Sequence, residues 1–124
     1  MPTVGGDYNT WGNELNGDLA IIDALGAFAV NQVSASGGLT LGVNPITVFM
    51  ATGGALGIVS IVPSPASFPG RILIVKKVDA ANGSVELVPL SGNMDGAPNY
   101  TLFNQYQYVI FYSDGTNLNI IGGN

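Results

Sequence analysis

Eight carboxylates (Asp7, Glu14, Asp18, Asp23, Asp79, Glu86, Asp95 and Asp114) and three cations (Arg71, Lys76 and Lys77) carry all the charge of this 124-residue chain. His and Cys are absent. Their absence removes the commonest general base, the commonest transition-metal ligand, the thiolate nucleophile and any disulfide. Hydrolysis of a glycosidic bond would need two carboxylates facing each other across a sugar. Asp95 and Asp114 are the best pair the chain offers. Each precedes a Gly, however, and an Asp before Gly is most often a turn-former whose side chain bonds nearby backbone. The turn reading therefore outweighs catalysis. A calcium ion could draw on the same two carboxylates and neighbouring Asn oxygens, but no EF-hand spacing is present. Gly5-Gly6 and Gly53-Gly54 lack the strand, helix and Lys of a phosphate loop and read as flexible turns. These residues predict no enzyme, no cofactor and no metal.

Composition points the same way. The net charge is −5, hydrophobic residues make up 47% and charged residues 9%, where an average soluble domain has roughly 25% charged residues. Three cations cannot build a basic stripe for phosphates, so neither nucleic acid nor an anionic membrane surface is an expected partner. The surface must be covered by neutral polar side chains or by another protein, and burial in an assembly is the simpler of the two. The amino terminus has no basic region followed by an apolar stretch, so no signal peptide is expected. No apolar run is long enough for a membrane-spanning helix. The expected place of synthesis and assembly is a cytoplasm.

The elements that must position these residues read as a docking arm over 1–9, an amphipathic helix over 10–26 and a β-module over 27–124. Thr10 or Asn9 can cap the helix. Trp11, Leu15, Leu19 and Ile22 then recur at helical spacing, and Gly26 ends it. Val4 and Tyr8 are the sizeable apolar anchors of the arm. Trp11, Leu15 and Leu19 form the packing stripe of the helix, with Trp11 as a core anchor. Beyond residue 27, strands are predicted at 28–34, 39–43, 46–50, 57–62, 71–78, 85–90, 100–103, 106–112 and 118–121, with Gly, Pro and Asx-Gly punctuation between them. This spacing argues for an antiparallel β-sandwich or barrel-like module behind one amphipathic helix. Asn82-Gly83 reads as a type I′ hairpin turn joining 71–78 to an antiparallel partner at 85–90. Asp95-Gly96 and Asp114-Gly115 are two further tight turns.

The aromatic residues crowd the last quarter. A period of two over 106–112 puts Tyr106, Tyr108 and Tyr112 on one face with Ile110, and Gln107, Val109 and Phe111 on the other. Such a face can pack against a neighbouring subunit or stack a host-surface glycan. Packing carries the greater weight, because Tyr offers apolar area together with a hydroxyl.

Two motifs carry a family resemblance. Residues 2–16 read P-x-V-G-G-x-x-x-T-W-G-x-x-L-N. Later come P-x-x-x-x-x-P-G-R-I-x-x-V-K-K from Pro63, N-G-S-V-x-L-x-P from Asn82, M-D-G from Met94 and Y-x-x-V-I-F-Y-S-D-G-T-N from Tyr106. In combination the chain resembles tailed-bacteriophage virion proteins of the tail-fibre and appendage type. Most of the chain is covered, and residues 27–60 match loosely. The resemblance implies a non-enzymatic structural subunit, a homotrimer, localised to the virion and contacting other virion proteins. With both motifs in one compact chain, a capsid decoration or cement protein (a head fibre) is the alternative, and a carbohydrate-binding module for host attachment is a second.

Overall fold

The computed structural model describes residues 28–124. The docking arm, the helix and their residues Val4, Tyr8, Trp11, Leu15 and Leu19 lie outside the described residues. Within them the chain is mainly β. Its strands are β1 (Ala29–Val33), β2 (Gly37–Gly38), β3 (Ile46–Ala51), β4 (Ile58–Val62), β5 (Ile72–Lys77), β6 (Val85–Pro89), β7 (Tyr100–Leu102), β8 (Tyr108–Ser113) and β9 (Leu118–Gly123). A short 3₁₀ turn, Pro65–Ser67, separates β4 from β5.

The strands form two mixed sheets, ordered β1-β3-β5-β8-β9 and β2-β4-β6-β7. From β1 to β6 the chain alternates between the sheets, so it winds in three coils. Successive coils stack parallel. Ala29 pairs with Thr47, Ile46 with Ile72, Gly37 with Ser60 and Ile58 with Val85. Antiparallel pairing begins only at β7 on β6, β8 on β5 and β9 on β8.

This corrects the antiparallel expectation. A parallel neighbour requires a crossover, and here each crossover is the strand that the chain lays in the opposite sheet. The signature lies in runs such as Ile72–Val75, apolar at consecutive positions, which is how strands of parallel sheets read. The predicted hairpin at Asn82-Gly83 is absent, because β5 and β6 belong to different sheets. Neither residue has the positive φ that a type I′ turn demands. That backbone instead occurs at Asp95 (φ 50) and Gly96 (φ 81), where Met94 and Ala97 exchange both backbone hydrogen bonds. A strand over 39–43 is likewise not formed. The first coil pairs through Gly37–Gly38, and Leu39 adds one further bond to Ile61.

Both sheets send alternate side chains into one core. Phe49, Leu73, Val75, Val109 and Phe111 come from the first sheet, and Val62, Val85, Leu87 and Leu102 from the second. Phe111 meets Tyr100 edge-on, with ring centroids 6.0 Å apart, a geometry worth about 0.5–1.5 kcal/mol beyond area burial.

Candidate interaction surface

The three cations are the natural starting point, because each is engaged within the fold. Lys77 continues the inward positions of β5 and is fully buried. Its ammonium donates to the Asp79 carbonyl at 2.8 Å, to Asp79 Oδ1 at 2.8 Å and to the Ala81 carbonyl at 2.9 Å. All three ammonium protons are therefore used, which is what makes burial of the charge tolerable. Asp79 in turn accepts from the Gly53 and Gly54 amides at 3.1 and 2.9 Å. The Lys77 hydrogen bond, reinforced by these amides, holds the Asp79 carboxyl down at about 2. Sequence reasoning missed this clamp. Its only trace is a Lys at the inward parity of an apolar strand, followed two residues later by Asp.

Arg71 donates from Nε to the Asn44 carbonyl at 3.0 Å and from its terminal nitrogen to the Gly42 carbonyl. It thus pins the connection between β2 and β3. Lys76 sits over the Tyr106 ring, 5.4 Å from the centroid, a cation–π contact.

The carboxylates are equally occupied. Asp114 Oδ1 accepts the Thr116 and Asn117 amides at 2.8 and 2.7 Å, and Oδ2 accepts the Asn119 side chain at 3.0 Å. These bonds, the Asn117 amide foremost, hold its carboxyl below the usual range. Asp95 Oδ1 accepts the Ile120 amide at 3.0 Å and so ties its turn to β9. Among the described residues no three metal-ligating side chains come together. A hollow of about 440 Å³ beside β1 and β2 has no ionisable lining residue. No helix of the described residues is long and apolar enough to cross a membrane.

The turn at Asp114 yields a test. Gly115 has φ +91 with open space around it. Gly115→Val should therefore cost roughly 1–3 kcal/mol through backbone strain alone. Asp114→Asn keeps an oxygen for the two amides and should leave the melting temperature nearly unchanged, whereas Asp114→Ala should lower it. Loss of a measured glycan-cleaving activity in Asp114→Asn, with the fold intact, would reverse the turn reading.

With polar chemistry spent inside, the outer face of the five-stranded sheet is the surface that stands out. Val30, Val48, Ile74 and Ile110 are register partners across four strands. Ile46, Ile72 and Tyr112 form a second row, and Gln32, Met50, Lys76 and Tyr108 a third. Alternation along each strand points these residues away from the core. Val30 is 64% exposed and Tyr112 39%. The three rows contain one cation and no carboxylate. Contiguous apolar surface of this kind marks an interaction site.

Tyr108 and Tyr112 belong to this face. Tyr106 does not, which corrects the grouping of the three. The strand begins at Tyr108, and Tyr106 lies in the preceding turn at φ 66. Compared with known protein families, with curated proteins and with solved structures, the chain matches none of them.

Proposed function

We propose that this chain is a non-enzymatic structural subunit of a tailed-bacteriophage virion, of the tail-fibre or tail-appendage type, and that it assembles as a homotrimer. The observation that carries the reading is the outer face of the five-stranded sheet. Its three rows are apolar, in register and free of carboxylates. A second copy is the occupant that suits them. Two such faces meet without burying opposed charges, and a chain with only 9% charged residues gains most by covering apolar surface with its own kind. The engagement of all three cations inside the fold supports the same reading, since none is left to form a basic patch. Its family level comes from the Trp-Gly and Ser-Asp-Gly-Thr-Asn motifs.

Light scattering should return three times the 12.7 kDa chain mass. Val30→Glu combined with Ile110→Glu should shift the protein towards monomer while the far-ultraviolet spectrum stays β-rich. A wild-type monomer at micromolar concentration would sink the trimer. Cross-linking of intact particles distinguishes the location. Cross-links to tail proteins support the appendage reading, and cross-links to the major capsid protein support the decoration alternative.

A further inference from the structure

The loop between β7 and β8 holds an arrangement that the assembly role does not use. Residues 104–107 form a turn closed by the Gln107 amide donating to the Asn104 carbonyl at 3.1 Å. Tyr106 occupies its third position with φ 66. That region suits Gly or Asn, and a large side chain there costs of order 1–3 kcal/mol. The strained residue is not there to fill the core, because Tyr106 remains 57% exposed and Phe103, at the start of the same loop, 65%. Strain held on an exposed ring presents that ring outwards.

Beside it lies a shallow hollow of about 180 Å³, lined by Asn104, Gln105, Gln107 and Asn124. Every lining residue is a neutral amide. Three of them are fixed in orientation, because each is held by a backbone group of only one polarity. Gln107 Oε1 accepts the Phe103 and Asn104 amides at 2.8 and 3.2 Å, so its nitrogen is left as a donor. Asn124 Oδ1 accepts the Tyr108 amide at 2.9 Å, leaving a second donor. Gln105 donates to the Val78 carbonyl at 3.2 Å, leaving its oxygen as an acceptor. Donors and an acceptor of known polarity, locked by backbone bonds next to exposed aromatic rings, are the components that a sugar ring requires. Its hydroxyls both give and take hydrogen bonds, and its C–H face lies on an aromatic plane. The absence of a charged lining residue selects a neutral sugar.

We propose that this loop is a binding site for a neutral hexopyranose, with Tyr106 and Phe103 as stacking rings and Gln107, Asn124 and Gln105 as hydrogen-bonding groups. The site lies beside the apolar sheet face and does not depend on trimer formation.

The test is a titration of the isotope-labelled full chain with glucose, galactose, N-acetylglucosamine and, as a charged control, glucuronate, each to roughly 100 mM, since one ring on an open platform binds at millimolar strength. At least one neutral sugar should shift the side-chain amide signals of Gln107 and Asn124 and the backbone signals of 103–107. Tyr106→Asn, which tolerates the backbone conformation, should weaken that sugar at least about fivefold, in line with loss of one stacking contact, without lowering the melting temperature. Phe103→Ser should weaken it as well. No shifts with any neutral sugar, shifts with glucuronate alone, or unchanged affinity in Tyr106→Asn would overturn the assignment. A lowered melting temperature in Tyr106→Asn would assign the ring to packing and overturn it too.

Discussion

Gly83→Ala is expected to be the most damaging small substitution in the described residues. A Cβ on Gly83 would lie 2.2 Å from the Gly54 carbonyl oxygen, 2.3 Å from the Gly57 amide nitrogen and 2.7 Å from the Gly53 carbonyl oxygen. All three are backbone atoms of the coil below, so no side-chain rotation can relieve the overlap. The contact is reciprocal, since a Cβ on Gly53 would come within 2.0 Å of the Gly83 carbonyl oxygen. Separating the two corners would also break the Gly83 amide bond to the Gly54 carbonyl at 2.7 Å. The cost should reach about 4 kcal/mol or more, the range reserved for a disrupted packing arrangement, against a total stability on the order of 5–15 kcal/mol. Urea unfolding measures it. Gly38→Ala is the control, because nothing lies within 4 Å of a Cβ there, and its midpoint should barely move. Equal midpoints for the two variants would refute the close approach of the coils.

Lys77→Ala should cost roughly 3–5 kcal/mol, the penalty for removing one partner of a buried ion pair. Lys77→Met should cost less because it keeps the apolar stem, but the Asp79 and Ala81 acceptors would still lose their donor. Asp79→Asn should also destabilise, since the buried ammonium would lose its counter-charge. The pair fixes an acid dependence. The Asp79 carboxyl is held at about 2 in the folded protein, below its ordinary value of 3.8. Its contribution is therefore complete above the ordinary value and is lost as pH falls towards and through about 2. Asp114, lowered by its amide partners, acts in the same direction. Stability measured from pH 6 downwards should hold steady and then fall below about pH 4. In Lys77→Met the fall should be shallower, because the leading cause of the Asp79 shift is gone. An identical acid profile in wild type and Lys77→Met would remove the clamp from the account.

Much of the local structure is legible in residue order. Ile46–Ala51, Ile72–Lys77, Val85–Pro89 and Tyr108–Ser113 alternate between inward and outward positions as a period of two requires. Asp95-Gly96 and Asp114-Gly115 lie in turns because Asp can cap nearby amides and Gly accepts positive φ. The scarcity of charge is a fact of composition and already argues against a basic, nucleic-acid-binding surface.

Only the tertiary structure decided which strand lies beside which. Side-chain alternation says which residues face inward, but it does not name the neighbour in the hydrogen-bonding direction or its polarity. The coil-to-coil stacking therefore overrode the local Asn82-Gly83 signal, and Gly83 serves a close backbone approach rather than a hairpin. Lys77 is buried for the same reason. Its parity on β5 points it inward, and it is tolerable there only because winding brings the Asp79 carboxylate and two loop carbonyls around its ammonium. Tyr106 left the tyrosine face because the Asn104–Gln107 turn takes precedence over strand continuation. Long-range partners supply these outcomes, and no local pattern of residues encodes them.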